Sequence, residues 1–310
     1  MMTLKIHLDT DIGGDMDDLC AIAMLLKWPD LEITGITTTA EEKGRRAGYV
    51  DTVLKIANRT EIPFGAGADL ADGYFRYDQL GYPPDDQNWP EPISPHPNPI
   101  DDALEIIKSS IEQGAVLVGI GPFTNFMLVD QKYPGILKDA KLFLMGGYVY
   151  DIPSGFPQFS RQDDWNMQLD IRAAQYMFDH ANPTLIPLTL TAQTALCRSD
   201  LPKLAHTDKL GELLVRQAEL FERTENLAGR YGPTSPKLPI DFINFHHDPL
   251  ACAIALGWRD GVTIEDVPLK LEVRDTYLYE IPDPVGRPTS LVTQIDVHAF
   301  NDYWLNLLSH

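Results

Sequence analysis

The sequence predicts an α/β protein with an open, mostly parallel central sheet flanked by helices. Short apolar or β-branched runs recur along its 310 residues, and segments with helical spacing of apolar residues lie between them. Such alternation is typical of parallel strands joined by crossover helices. Because 44% of the residues are hydrophobic and no low-complexity linker interrupts the chain, we expect a single domain over residues 1–310.

Five apolar runs are predicted to form the parallel strands. They cover residues 4–8, 33–39, 116–120, 142–145 and 185–188. Two further strand-like stretches, at 268–273 and 291–297, lie close together with proline and glycine between them. They predict an added antiparallel pair, which would make the sheet mixed.

Helices are predicted where apolar residues recur with a period near 3.6. The candidate segments are 17–27, 47–58, 100–112, 171–180, 211–230 and 249–256. Residues 82–99 hold seven prolines, which exclude a regular helix or a central strand there. We expect a lid loop around residues 67–99, with a surface connection held in place by proline as the alternative.

The charge of the chain narrows the class of partner. Its 25 basic and 45 acidic side chains give a net charge of −20, which disfavours nucleic acids and anionic membrane surfaces. No apolar run approaches the roughly 20 residues of a membrane span. The three cysteines, Cys20, Cys197 and Cys252, are widely separated and predict buried free thiols. We therefore expect a cytoplasmic protein with a small-molecule partner.

An acidic turn follows the first predicted strand. Five of the ten residues from 9 to 18 are aspartates, and carboxylates this close repel one another by about 1 kcal/mol per pair even when strongly screened. Helix capping explains Asp17 and Asp18, but it leaves Asp9, Asp11 and Asp15 unexplained. A hard dication is the simplest compensation, and open α/β sheets place ligands at such strand-to-helix turns.

A second motif, Asn-Phe-His-His-Asp-Pro-Leu-Ala, occupies residues 244–251. Capping of the helix that follows explains Asp248 and the proline after it. It leaves the adjacent His246 and His247 unexplained, so this segment is a candidate second part of the site.

A third segment, at residues 163–170, also precedes a predicted helix. Asp164 and Asn166 are alternate residues of an extended stretch, so their side chains are expected to point the same way. An acceptor and an amide presented together suit the hydroxyl groups of a sugar.

Taken together, these motifs resemble those of the inosine-uridine nucleoside hydrolases, in the family order and over nearly the whole chain. They are Asp-Thr-Asp and a later Asp-Asp within 9–18, Gly-Pro-Phe-Thr-Asn at 121–125, Met-Gly-Gly at 145–147, Asp-Trp-Asn at 164–166 and His-Asp-Pro-Leu-Ala at 247–251. The resemblance implies the Rossmann-like nucleoside hydrolase fold with a mixed sheet. It also implies one bound Ca²⁺ and hydrolysis of a ribonucleoside to ribose and free base.

The resemblance implies ligands as well. Four groups would bind calcium: the carboxylates of Asp11, Asp18 and Asp248 and the backbone carbonyl of Ile120. Three side chains would hold the sugar: Asp17, Asn166 and Asp164, the last of which stands where the family usually has Glu. The developing positive charge of an oxocarbenium-like transition state would be stabilised by this acidic surrounding.

Two residues would then carry the proton transfers. Asp11 would act as general base on a water molecule. His247 would act as general acid for the leaving base, with His246 in reserve.

The chain departs from the family pattern at three places. Asp15 adds a residue to the first turn. Thr-Thr-Ala-Glu-Glu at 38–42 stands where the family usually has Ala-Gly-Asn, so Glu42 is expected to offer the substrate acceptors only. No His-Gly motif appears near residues 72–82. Stacking on the base would come from other aromatic side chains, with Tyr77, Tyr82, Trp89 and Tyr231 as candidates.

Two other functions are compatible with the sequence. Glu41 and Glu42 are consistent with a relative that binds calcium and sugar without hydrolysis. Asp9 and Asp11 match the paired aspartates of a Mg²⁺-dependent phosphohydrolase, although such a site would leave the histidines unused. The resemblance suggests a homodimer or homotetramer.

Overall fold

The computed structural model describes residues 3–13, 15–70, 73–76 and 88–309, with a nine-stranded sheet at the centre of this part of the chain. Its strands, together with a separate short pair, are β1 (Leu4–Thr10), β2 (Leu31–Thr38), β3 (Phe64–Ala66), β4 (Val116–Gly119), β5 (Leu142–Met145), β6 (Thr184–Ile186), β7 (Leu196–Cys197), β8 (Phe242–Asn244), β9 (Thr263–Arg274), β10 (Tyr277–Pro282) and β11 (Arg287–Gln294). The helices are α1 (Asp17–Lys27), α2 (Arg45–Ile56), α3 (Ile100–Glu112), α4 (Thr124–Lys132), α5 (Trp165–Leu169), α6 (Ile171–His180), α7 (Leu188–Thr191), α8 (Leu201–Leu204), α9 (Lys209–Glu225), α10 (Leu227–Tyr231), α11 (His247–Ala255) and α12 (Val297–Leu308).

The sheet confirms the predicted fold class. Its strand order is β10-β9-β11-β6-β5-β4-β1-β2-β3, and neighbouring strands from β1 to β6 pair in parallel. β11 pairs in parallel with β6, whereas β9 pairs antiparallel with both β10 and β11. The five predicted parallel strands and the predicted antiparallel pair are therefore present in a mixed sheet.

The sequence analysis missed both edge strands, β3 and β10. With three residues, β3 is too short to show an alternating pattern. The turn that leads into β10 lacks the usual Asn-Gly signal, because Asp275 and Thr276 adopt positive φ angles of 48° and 71° there without any glycine.

Three predicted helices coincide with α1, α3 and α6. The predicted helix at 211–230 is divided into α9 and α10 at Asn226, whose left-handed φ of 45° ends the first helix. Five helices were not predicted from the sequence: α4, α5, α7, α8 and α12. In α12 the buried Phe300, Trp304 and Leu308 recur every four residues, which is a helical pattern that the sequence does contain.

Helices cover both faces of the sheet. Side chains of α1, α11 and α12 form one apolar core with it, and those of α3, α4 and α6 form another. Within the described ranges, no helix combines the length and the apolar character needed to cross a bilayer.

The strand order sets the position of the candidate site. β1 has β2 on one side and β4 on the other, so the connections after β1 and β4 lead to opposite sides of the sheet. Open α/β sheets bind ligands in the crevice at such a switch point. Asp11 follows β1 and Ile120 follows β4, so both lie beside this crevice.

Part of the predicted lid at 67–99, including Tyr77 and Tyr82, lies outside the described residues. Within the described part, Trp89 is buried, and its ring stacks on Tyr49 with centroids 5.0 Å apart and planes 12° apart. Trp89 therefore packs in the interior.

Candidate active site

A cavity of about 530 Å³ lies at the switch point. Among the residues predicted for the site, Glu42 does not line it, and the other eight do. The acidic residues along its walls are Asp11, Asp15, Asp17, Asp18, Asp163, Asp164, Glu225 and Asp248. Segments from both ends of the chain therefore meet around one strongly acidic space.

Three carboxylates form the centre of this space. Asp17 and Asp18 lie in the first turn of α1, and Asp248 lies in the first turn of α11, which packs against α1. All three are buried, and one oxygen of each lies within 4.8 Å of the others. Both helices thus direct the positive ends of their dipoles toward the same group of acids.

The electrostatics of this group fit a bound cation. Burial, followed by the negative charge of the neighbouring aspartates, raises the pKa of Asp17, Asp18 and Asp248 well above the usual value. Oxygen ligands alone, gathered at this spacing and under this repulsion, are the donor set that a hard divalent ion such as Ca²⁺ prefers. The residues present therefore fit the metal that the sequence motifs imply.

Asp11 lies beside the three acids without belonging to their group. Its carboxylate hydrogen-bonds the side chain of Trp165, and its backbone carbonyl accepts a hydrogen bond from Arg46. Burial raises the pKa of Asp11, and the charge of Arg46 opposes that rise. The glycine of the Gly-Pro-Phe-Thr-Asn motif, Gly121, leaves room for Asp11, because a Cβ at this position would lie 2.9 Å from Asp11 Oδ1.

Two of the predicted sugar ligands, Asp164 and Asn166, lie at the start of α5, so this segment is helical there and not extended as predicted. Asn166 donates from Nδ2 to the backbone carbonyl of Ile120 at 3.0 Å, so these two predicted site residues are in direct contact. Asp164 accepts from the backbone N–H of Gly147 at 2.6 Å. Burial, and then the charge of Glu280, raises the pKa of Asp164 to about 8.

The additional aspartates differ in position. Asp15 lines the cavity. Its carboxylate accepts hydrogen bonds from the backbone N–H of Met16 and from the side-chain amide of Asn244, so β8 is bonded to the acidic turn. Burial raises the pKa of Asp15 to about 6. Asp9 is fully buried, accepts hydrogen bonds from Thr37 and Asn125, and does not line the cavity.

The two histidines have different surroundings. His247 lines the cavity, and its Nδ1 lies 2.7 Å from Thr191 Oγ1. Burial lowers the pKa of His247 to about 3, so the ring is neutral at pH 7. His246 is buried against Trp304, with ring centroids 4.2 Å apart, and it does not line the cavity.

An aromatic wall forms another side of the cavity. Phe159 packs edge-on against Tyr231 at 5.3 Å and against Phe245 at 5.6 Å. Tyr231 was among the predicted stacking residues, whereas the sequence analysis gave no role to Phe159 or Phe245. The position of Phe245, next to the His-His-Asp motif, was the available signal for that residue.

The segment after β2 differs from expectation. Glu42 forms a salt bridge with Arg45 at 3.2 Å and faces away from the cavity lining. Its neighbour Glu41 is buried and accepts from the backbone N–H groups of Arg46 and Ala47. As a result Arg46, which the sequence analysis did not single out, lines the cavity instead.

Comparison with known proteins shows which sequences are similar to this chain. The sequence pattern of the family described as inosine-uridine preferring nucleoside hydrolase matches residues 6–302. The pyrimidine-specific ribonucleoside hydrolase RihA of Klebsiella pneumoniae is 25% identical over an alignment that covers 97% of each chain.

Solved structures share the fold. A plant nucleoside hydrolase, PpNRh1, superimposes with a TM-score of 0.75 at 19% identity, covering 99% of both chains. A purine-preferring ribonucleoside hydrolase from Gardnerella vaginalis gives a TM-score of 0.71 at 22% identity, covering 98% of both chains. The resemblance of the sequence motifs is thereby confirmed. The chain belongs to the inosine-uridine preferring nucleoside hydrolases, enzymes that hydrolyse the N-glycosidic bond of ribonucleosides.

Proposed function

We propose that the protein is a Ca²⁺-dependent hydrolase that releases the free base and ribose from a ribonucleoside or a related N-riboside. The observation that supports this most directly is the convergence of Asp17, Asp18 and Asp248 beside Asp11 in one cavity with an aromatic wall. We assign the ion to Asp11, Asp18, Asp248 and the backbone carbonyl of Ile120. When bound, calcium would hold oxygen ligands in place, which orients polar groups, and it would lower the pKa of water.

The acidic walls suit the chemistry of the bond that breaks. Cleavage of an N-glycosidic bond passes through an oxocarbenium-like state in which the sugar becomes positive. Preorganised carboxylates stabilise that charge without reorganising during the reaction. We assign the sugar hydroxyls to Asp17, Asp164 and Asn166.

We assign proton removal from the attacking water to Asp11. The hydrogen bond to Trp165 and the neighbouring charge of Arg46 both favour its ionised form, which a general base requires. The hydrogen bond to Trp165 also restricts the directions in which the carboxylate can turn.

We assign assistance to the leaving base to His247. Burial keeps the ring neutral in the free enzyme, so we infer that it acts as an N–H hydrogen-bond donor and not as an imidazolium. The bond between Nδ1 and Thr191 leaves Nε2 for the base. The aromatic wall of Phe159, Tyr231 and Phe245 would hold the base by its faces and edges.

The remaining assignments follow from the sequence. We propose one domain over residues 1–310, a lid within 67–99, a homodimer or homotetramer, and a cytoplasmic location. The net charge of −20 supports a small-molecule substrate over nucleic acid or an anionic membrane.

A chromatographic screen of purine, pyrimidine and modified nucleosides tests the proposal. Free base and ribose should appear in calcium, disappear in excess EGTA, and return when calcium is restored. Nucleoside binding without base release would instead identify an inactive relative. Phosphate release from phosphomonoesters with no base release would identify the phosphohydrolase alternative, and either result would exclude our proposal.

A further inference from the structure

Arg46 is a buried cation at the edge of the acidic cavity. Its side chain is 5% exposed, it stands in the first turn of α2, and it lines the same space as Asp11 and Asp18. A buried guanidinium is costly unless its donors are satisfied, so the groups that it contacts show what it does.

The guanidinium joins two turns of backbone. Nη1 donates to the carbonyls of Asp11 and Ile12, the latter at 3.0 Å, and Nε donates to the carbonyl of Ala40 at 2.7 Å. Asp11 and Ile12 form the turn after β1, and Ala40 belongs to the turn after β2. One planar group therefore fixes the backbone on which the Asp11 carboxylate is mounted.

The backbone at Ala40 is adapted to this contact. Its φ is +49°, a left-handed conformation that costs a residue with a Cβ about 1–2 kcal/mol. Ala40 is fully buried, and its carbonyl accepts the Arg46 Nε–H. The strained turn is held in place by the surrounding structure, of which Arg46 is a part.

Arg46 is in turn held by Glu41. The Glu41 carboxylate accepts from the backbone N–H groups of Arg46 at 2.7 Å and of Ala47 at 2.9 Å, and from Thr38 Oγ1 at 2.6 Å. These bonds fix the first turn of α2 against the end of β2. The chain departs from the family pattern at residues 38–42, and in the structure these residues hold Arg46 in place. Glu42 does not make the predicted substrate contact, because it does not line the cavity.

The charge of Arg46 acts on the same neighbours. Its charge opposes the rise in pKa that burial causes at Asp11 and Asp18. Arg46 is therefore a buried positive charge beside these carboxylates before any metal ion binds, and Arg230 is a second arginine of the cavity lining.

We propose that Arg46 is a positioning residue for Asp11: its guanidinium fork holds the turn after β1 so that the Asp11 carboxylate keeps its place beside Asp18 in the cavity. This inference rests on the proposed function, in which Asp11 is the general base. Nη1 and Nε of Arg46 donate to backbone carbonyls of the two turns, and we infer that these three hydrogen bonds orient the turn that carries Asp11.

The test compares Arg46→Lys and Arg46→Gln with Arg45→Gln, a matched control in which the neighbouring arginine, which does not line the cavity, loses its salt bridge with Glu42. At saturating calcium, both Arg46 variants should lose about 10- to 100-fold in kcat with KM changed less than about threefold. Calcium affinity, measured by calorimetry without substrate, should also fall in Arg46→Lys, by about 10- to 100-fold, because Asp11 is assigned to the ion as well. Arg45→Gln should match the wild-type protein in each measurement.

A wild-type kcat in Arg46→Lys would show that the planar guanidinium is not required. A wild-type kcat in both variants would overturn the positioning role of Arg46, while the proposed nucleoside hydrolysis would stand. If the wild-type enzyme itself releases no base, the proposed function fails instead. Should both variants fail to fold, a crystal structure of the wild-type protein with calcium decides. A guanidinium beyond hydrogen-bonding distance of the Asp11 carbonyl would overturn the inference, and one within that distance would support it.

Discussion

The side-chain amide of Asn166 donates one hydrogen bond to the backbone carbonyl of Ile120 at 3.0 Å and another to that of Met145 at 3.1 Å. The residue that we assign to the sugar is therefore bonded to the carbonyl that we assign to the ion. Because both bonds use Nδ2, the acceptor Oδ1 is the atom left for a sugar hydroxyl. These two assignments would link binding of the sugar to binding of the ion through one side chain.

Asn166→Asp should damage both stability and activity. It places a carboxylate against two carbonyl oxygens, and we expect the free energy of unfolding in urea to fall by about 1–3 kcal/mol. The matched control is Asn182→Asp, since the exposed Asn182 amide also donates to a carbonyl, that of Lys138. The control should change by less than about 0.5 kcal/mol. Equal losses in the two variants would contradict a special role for the buried amide.

Asp248→Asn should have opposite effects with and without calcium. In EGTA the variant should melt at a higher temperature than the wild-type protein, because it removes one member of a buried, mutually repelling group. In calcium the wild-type melting temperature should rise with ion concentration, and the variant should respond much less. Thermal unfolding by circular dichroism measures both effects. A variant less stable than wild type in EGTA would show that repulsion does not dominate at this site.

Glu280→Gln should change how stability depends on pH. Burial and the charge of Glu280 together raise the folded-state pKa of Asp164 to about 8, and burial also raises the pKa of Glu280. A raised folded-state pKa means that the stabilising contribution is present at low pH, below the unfolded value of 3.8, and is lost as the pH rises toward 8. The variant should therefore be more stable than wild type at pH 8, with a difference that shrinks toward pH 4.

Urea unfolding across that pH range, in EGTA, measures the effect of Glu280→Gln. Glu272→Gln is the control, because Lys270 and Arg274 lower the pKa of the partly exposed Glu272. Its small effect should have the opposite sign at pH 8. Parallel curves for wild type and Glu280→Gln would rule out the interaction between Glu280 and Asp164.

The fall in kcat caused by His247→Ala should depend on the leaving group of the substrate. On ordinary nucleosides we expect kcat to fall about 100- to 1,000-fold, the usual loss when one hydrogen-bond donor to a developing negative charge is removed. On 4-nitrophenyl riboside, whose phenolate leaves without protonation, the loss should be much smaller. Thr191→Val, which removes the partner of Nδ1, should follow the same pattern more weakly. Equal losses on both substrates would assign His247 to sugar or metal binding.

The sequence alone predicts the sheet and the acidic turn of the candidate site because these signals are local. Alternating strands and helices, and acidic residues directly after β1, follow from short-range patterns, and Asp11, Asp17 and Asp18 belong to one turn. The later segments, including Asp164 and Asp248, could be joined to that turn only through family resemblance, since spacing carries no information on contacts between distant segments.

Arg46 and Glu42 show where such prediction stops. Two adjacent acids, Glu41 and Glu42, cannot be distinguished by composition, yet one caps α2 in the interior and the other pairs with Arg45 at the surface. The difference depends on the left-handed backbone at Ala40. No propensity rule favours that conformation for alanine, so the exchange of Glu42 for Arg46 was not predictable.

The hydrogen bond between Asn244 and Asp15 joins residues 229 positions apart in the chain. During synthesis the acidic turn leaves the ribosome early. Its partners in β8 and α11 are made only when synthesis has reached residues 242–255. A nascent chain truncated before β8 would therefore contain the repelling aspartates of the acidic turn without Asn244 and Asp248. Cation affinity and turnover should consequently arise together, as one late event of folding.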